Sequence, residues 1–475
     1  MEPMRRVVSR VLLAVLAASS AGAADESLPP ETLAAARTLR DRAVSGTRAS
    51  EWVAGVTDRA GPRLAGSDGD RRAVAWALET LRALGFSNVR AEPVTVEVWR
   101  RDAESGEVVT PRPQRLALTA LGGSIATPEA GLEGELFEVV SLEDLESRGA
   151  AARGRIVFFN KRMERRSDIG GYEKAVDVRS KGASRAARWG AIGVLIRSVG
   201  TDSNRLPHTG GLRYDEALPR IPAAAVSGPD ADLLARMIQS SAPVRVRFHL
   251  ACGRRGTAES ANVVGEIPGR TKPEEIVLLG AHLDSWDLGT GALDDGAGCG
   301  VVIEAGRLIA RMTRRPARTI RVVLFANEES GLAGGKTYAK AHAAELDRHQ
   351  AALEADSGTG RPMGLSWLAA PSAEPYLRRI AELLEPVGGG RLSGDGSGGA
   401  DISALRPAGV PLFAVLQDFS TYFDFHHTAN DTFDKIEPAS LDRTVAAVAA
   451  FAYSVADAPA RFERIPVVKR ATPTP

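Results

Sequence analysis

Two spacings of apolar residues alternate along this chain and divide it into three stretches. ETLAAARTLRDRAV and RRAVAWALETLRALGF carry apolar residues at helical intervals, and the second runs into Gly85, where a helix stop belongs. VRAEPVTVEVW, which follows, alternates in the manner of a strand. From Pro111 to Cys252 the texture changes. GLEGELFEVV, RGRIVFFNKR, AIGVLIRSV, IPAAAVS and VRVRFHL are short β-type runs separated by Gly, Pro and charge, with one helical stretch at GASRAARWG. ANVVGEIPG then opens a series of stronger alternations. EIVLLGAHLDS, TIRVVLFANEES, QAALEADSG and GVPLFAVLQD are apolar runs of buried-strand type, and between them lie helical GCGVVIEAGRLIARM, GGKTYAKAHAAEL and AEPYLRRIAELLEPV. SLDRTVAAVAAFAYSVADA predicts a long closing helix, and RIPVVKRATPTP a frayed end.

This alternation predicts an α/β fold, a mostly parallel mixed sheet flanked by helices, interrupted by a strand-rich insert. At 475 residues the chain exceeds what one core normally holds. The expected divisions are 1–23 as an export signal, 24–110 and 253–460 as the two parts of the main domain, 111–252 as the insert, and 461–475 as a flexible tail. The signal is read from Arg5, Arg6 and Arg10, a short apolar run, and small residues ending at Ala23. Its apolar run falls short of the ~20 residues that anchor a helix in a bilayer, so a soluble periplasmic or extracellular product is expected.

Charge removes one class of partner. Lys plus Arg (60) almost cancels Asp plus Glu (59), which leaves no basic footprint for nucleic acid. Two cysteines, Cys252 and Cys299, form no disulfide framework, and nothing in their spacing supports a bond between them.

The chemistry gathers where the apolar runs stop: His282 and Asp284, then Glu328 and Glu329, then Asp356, and later His426 and His427. Open α/β sheets bind ligands at the carboxyl ends of their strands. Any one of these residues could be a satisfied core group or a solvated acid. Together they would concentrate negative charge at a cost that a bound cation removes, and mixed imidazole and carboxylate donors suit zinc, with manganese or cobalt as substitutes.

The segments HLDSWDLGTGALDDGAG, FANEESGLAGG, EADSG and FHHTANDT resemble the metal-binding blocks of the two-zinc aminopeptidase family, which also contains glutamate carboxypeptidase. The resemblance runs from about Glu51 to Asp457 and takes in the insert, which is similar to a protease-associated domain. It implies a zinc exopeptidase acting on small peptides and suggests a homodimer. It also implies roles: His282 and Asp356 on one zinc, Glu329 and His427 on the other, Asp294 bridging, Glu328 as general base, and a cis bond between Asp294 and Asp295. His427 is preferred to His426 because the family's ligand directly precedes Thr or Ser. His426 then falls where a neighbour contacts substrate, and the Gly-rich GDGSGGADIS offers Gly399 and Asp401 as further substrate contacts. Asp287 has no chemical role in this scheme.

The residue pattern agrees with these roles. Positions i and i+2 of a strand share a face, so Asp284 can reach the imidazole of His282 and fix its tautomer. Adjacent Glu328 and Glu329 point different ways, which lets one ligate while the other faces water. Dipeptides or short peptides with a free terminus are the expected substrates. A broad aminopeptidase, a deacylase of N-acyl amino acids, and a metal-free binding module are the alternatives.

Overall fold

The computed structural model describes residues 28–240, 243–394 and 396–471; the expected export signal lies outside them. At the centre is the strand Lys272–His282, whose last eight residues are all buried. Arg318–Phe325 and His349–Glu354 flank it in parallel, and Leu412–Gln417 pairs in parallel with the latter. These four strands therefore point their carboxyl ends to one edge. Pro362–Leu368 runs antiparallel beside Leu412–Gln417, with Arg391–Gly394 beyond it. Neither of these outer strands shows in the sequence pattern, because MGLSWL and RLSG lack the β-branched runs that mark the central strands.

Apolar residues on both sides of the central strands dictate helices on both faces. One face is covered by Pro30–Val44, Ala49–Ala60, Asp68–Ala83, Ala297–Ala310 and Pro438–Asp457. The other carries Ala333–Ala341 and the turn Ile402–Ala408. Each fully buried Val, Leu or Ile here contributes roughly 1.5–3 kcal/mol. Ala49–Ala60 is not evident from sequence spacing because Gly55 interrupts it. The glycine is needed: a Cβ there would lie 2.8 Å from Nε1 of Trp76, which packs across the helix. Ala297–Ala310 likewise starts with small residues because it comes close to a strand end, where a Cβ on Gly298 would sit 1.9 Å from the Ala355 carbonyl.

Two long strands, Ser87–Thr110 and Arg245–Ile267, pair antiparallel and carry the chain out to the inserted segment and back. This ribbon passes residue 252 without a break. Beyond it, Leu132–Val139, Ile156–Phe159, Gly193–Arg197 and Ala223–Val226 form parallel pairs, and Leu118–Ala120 closes the edge antiparallel. The segment is α/β rather than strand-dominated: Leu142–Arg148, Gly170–Ala175 and Gly228–Gln239 are helices, in addition to the expected one, Asp177–Arg188. Ser141 and Ser227 cap two of them by accepting from the Asp144 and Asp230 amides, a signal that short helices offer in place of a long periodic stripe.

The end of the chain is docked rather than frayed as far as Arg470. Arg464 donates to the carbonyls of His349 (2.8 Å) and Leu346 (2.9 Å), and the buried Ile465 gives its amide to Gly409 (2.9 Å). Arginines bonding to open carbonyls leave no periodic trace in sequence. Cys252 and Cys299 are both free and buried. Among the described residues no helix is long and apolar enough to cross a membrane.

Candidate metal centre

The expected ligands meet at the common strand edge. Asp294 lies in the middle: its Oδ1 is 3.0 Å from Nε2 of His282, and its Oδ2 is 3.2 Å from Nε2 of His427. His282 Nε2 is also 3.7 Å from Asp356 Oδ1, and His427 Nε2 is 3.1 Å from Glu329 Oε2. Donor atoms of His282, Asp294 and Glu329 lie within 4.8 Å of one another, as do those of His282, Asp295 and Asp356, and those of Asp294, His426 and His427. The bond from Asp294 to Asp295 is cis.

Each group is held by a traceable support. His282 ends the central strand, in register with Phe325, and its amide donates to Asp295 Oδ2 (3.1 Å). Asp284 meets the imidazole mainly through its backbone carbonyl, 3.1 Å from Nδ1, while its carboxylate is 3.7 Å away and accepts the Glu328 amide (3.0 Å). The side chain of Asp284 thus fixes Glu328 more directly than it fixes His282. Asp431 receives the amides of Leu293 (2.6 Å) and Asp294 (3.2 Å). Arg63, fully buried, donates to the carbonyls of Leu283, Thr290 and Gly291 and so clamps the loop between His282 and Asp294.

The inserted segment holds the other histidine. Thr209 gives its amide to the His427 carbonyl (3.0 Å), and its own carbonyl is 3.3 Å from His427 Nδ1. His208 is buried with Nδ1 2.7 Å from the His426 carbonyl and Nε2 2.6 Å from Asp202 Oδ2. His427 has φ of 63°, the left-handed region, where outside contacts must hold a non-glycine residue. Asp287, without a role in the sequence, pairs with Arg101 through both oxygens (3.0 and 3.1 Å), and Arg101 also donates to Thr209 Oγ1 (2.9 Å).

The charges show what the cluster lacks. Burial works against a charge on His282, but the carboxylates of Asp284, Asp294 and Asp356 outweigh it and hold the imidazole well above its ordinary pKa. His427 is raised to about 9 in the same way, burial being overcome by Glu329 and Asp294. Burial would raise Asp294, yet the two imidazoles hold it well below the usual carboxylate range. No Lys or Arg among the described residues forms an ion pair with Asp294, Glu328, Glu329 or Asp356, so the buried carboxylates face only imidazoles, and a divalent cation on the same oxygens and nitrogens would balance their charge. Glu329 Oε1, buried with no hydrogen-bond partner, is a further free donor, so the residues present fit a metal.

Glu328 stands partly exposed beside the cluster. Loss of water, then the charges of Glu329, Asp356 and Asp401, raise it well above the usual carboxylate range against the pull of His282. His426 stacks on His427, ring centres 3.6 Å apart, with Nε2 3.5 Å from Asp294 Oδ2. Gly399 and Asp401 are set differently. Asp401 is 1% exposed, its amide donates to Glu354 Oε1 (3.3 Å) and its Oδ1 accepts from Gly335 (3.2 Å); a Cβ on Gly399 would meet Glu354 Oε2 at 2.4 Å. Both therefore pack around Glu354, Asp401 buried and Gly399 partly exposed. The residues missed in the sequence are Asp431, Arg63, His208 and Thr209. Asp431 lies inside a motif block, whereas the others carry no local signal.

Residues 262–452 match the model of peptidase family M28. The chain is 36% identical over 410 residues to carboxypeptidase Q from Mus musculus, covering 86% of each protein. It resembles the crystal structure of a peptidase M28 precursor from Shewanella amazonensis SB2B with a TM-score of 0.89 and 45% identity, covering 92% of this chain and 99% of that one. A zinc aminopeptidase from Bacillus subtilis shares the fold at a TM-score of 0.62 and 21% identity, over 88% of this chain and 98% of that one.

Proposed function

Since the chain belongs to peptidase family M28, we propose that it is an exported di-zinc exopeptidase that hydrolyses dipeptides or short peptides, with Glu328 as general base. His282 and Asp356 would hold one ion, Glu329 and His427 the other, with Asp294 shared. Zinc bound there, or manganese or cobalt on the same donors, supplies Lewis acidity toward the scissile carbonyl and toward water. The observation that carries this reading is the single carboxylate of Asp294 set between two imidazoles, 3.0 and 3.2 Å from its two oxygens.

The chain's own groups do the proton work. Glu328 takes a proton from the attacking water as the new C–O bond forms and delivers it to the amine nitrogen as the C–N bond breaks, which regenerates the carboxylate. Both transfers need one carboxylate beside the reacting groups, and Glu328 stands partly exposed next to the cluster. Asp284 keeps the residue in place by accepting its amide. The unit between residues 111 and 252, read as a protease-associated domain, would wall the cleft and keep folded proteins out.

Metal analysis together with a dipeptide hydrolysis panel tests the function. Two zinc ions per chain, turnover of free dipeptides, and loss of turnover with a chelator are expected. A folded protein that takes up no zinc and cleaves no dipeptide would point instead to a binding module.

A further inference from the structure

Two buried polar atoms that have no hydrogen-bond partner belong to residues lining one small cavity: Nε1 of Trp286 and Oε1 of Glu329. The cavity has a volume of about 10 Å³, which is room for one water, and Asp294, His427 and Asp431 share its wall. Trp286 stands just beyond the strand Lys272–His282 and is 4% exposed. Its six-membered ring packs into the core of the inserted segment, where a Cβ on Gly122 would be 1.9 Å from Cη2. Its ring centre is 5.7 Å from that of His427. The indole therefore spans from the insert to the metal cluster.

An indole N–H can only donate, so it cannot face a cation and needs an acceptor, whereas a carboxylate oxygen can only accept. A single water satisfies both, taking the N–H of Trp286 and giving one hydrogen to Glu329 Oε1. Its other hydrogen has the carbonyls near Gly289 in the same wall, where a Cβ would stand 2.7 Å from the carbonyl oxygens of Thr428 and Asp431. Glu329 is otherwise held through one oxygen. Its Oε2 is 3.1 Å from His427 Nε2, the pair that would share an ion, and a bond to Oε1 fixes the rotation of the carboxylate about that contact. An oxygen with two lone pairs accepts this bond whether or not it also touches the ion.

We infer that Trp286 is a positioning residue: through one water bound in this cavity, it orients the carboxylate of Glu329 toward the ion shared with His427. The inference rests on the metal-dependent reading above. It also gives the inserted segment a second hold on this half of the centre. Thr209 of that segment bonds to His427 directly, and its core grips the indole that steadies Glu329. Groups that hydrogen-bond to a ligating carboxylate set its orientation and so its affinity for metal.

Crystals of the full chain grown with and without zinc, together with zinc affinity from chelator competition, test the inference. A water within hydrogen-bond distance of both Trp286 Nε1 and Glu329 Oε1 is expected in both crystals. Replacing Trp286 alone by its benzothiophene analogue keeps the shape of the ring and removes only the N–H. That change should weaken zinc at the Glu329 and His427 half about 10-fold and leave the His282 half unaltered. Trp286→Phe, which removes the N–H and part of the ring, should lose at least as much. Unchanged affinity in the analogue, equal losses in both halves, or no water bridging the two atoms would overturn the assignment. None of these measurements reads turnover, so the two ideas separate. A zinc-loaded protein that cleaves no peptide, yet loses affinity in the analogue as described, supports the role of Trp286; an active enzyme whose analogue binds zinc normally refutes it.

Discussion

His282 and His427 approach Asp294 alike, 3.0 and 3.2 Å from its two oxygens, yet they are anchored in opposite ways. His282 closes a buried strand, and its contacts come from the same sheet edge: Asp284, Asp295 and Asp356. His427 stands on a loop, in left-handed backbone, and leans on Thr209 and His208 from the inserted segment. A strand end is positioned by its ladder at no further cost. A loop must be held from outside, and here a segment more than two hundred residues earlier in sequence does the holding. One half of the centre thus belongs to the fold, and the other depends on how two units of the chain meet.

The comparison can be tested at three depths. The largest effect belongs to Glu328, which serves both halves: Glu328→Gln should lower kcat roughly 10²- to 10⁴-fold while zinc content by metal analysis stays unchanged. An active mutant would refute the assignment of the base.

Next come the supports. His208→Ala removes the group bonded to the His426 carbonyl and should weaken zinc at the His427 half about 10- to 100-fold, in a chelator titration that still shows the His282 half intact. His208→Asn, which keeps a donor near the position of Nδ1, should recover part of the loss. If both metals weaken together in the Ala variant, the halves are not separately held.

The smallest effect tests Arg101, which pairs with Asp287 within the main domain and reaches Thr209 in the inserted segment. Asp287→Ala would leave Arg101, whose side chain is 6% exposed, with Glu104 as its remaining carboxylate at 3.3 Å. We expect a loss of about 1–3 kcal/mol in urea unfolding, with zinc affinity at the His282 half unaltered. An unchanged midpoint would mean that the bond between Asp287 and Arg101 contributes nothing to stability.

Much of the main domain is legible in the order of residues. The runs EIVLLGAH, TIRVVLF and QAALE are long, apolar and bounded, so they read directly as the central strands, and the acids and histidines at their ends mark one edge. Helices with a clear stripe, such as Pro438–Asp457, are read the same way. Less is legible where local signals are weak. Ala49–Ala60 hides behind a glycine kept for Trp76, and the short helices of the inserted segment are too brief to show a period. Asp287 shows the same limit at the site, since its partner, Arg101, stands 186 residues away and neither residue lies in a motif that names the other.

What the sequence determined by itself is the set of groups that can hold a metal, because ligands and general base must be particular residue types and cluster in short blocks beside strand ends. It also determined the parallel sheet that brings those blocks to one edge, since hydrophobic periodicity is a local property. Only the tertiary structure decided how His427 is held and that Asp401 is buried against Glu354. These depend on contacts between distant segments, and burial and charge balance are properties of neighbours in space that no stretch of sequence carries alone.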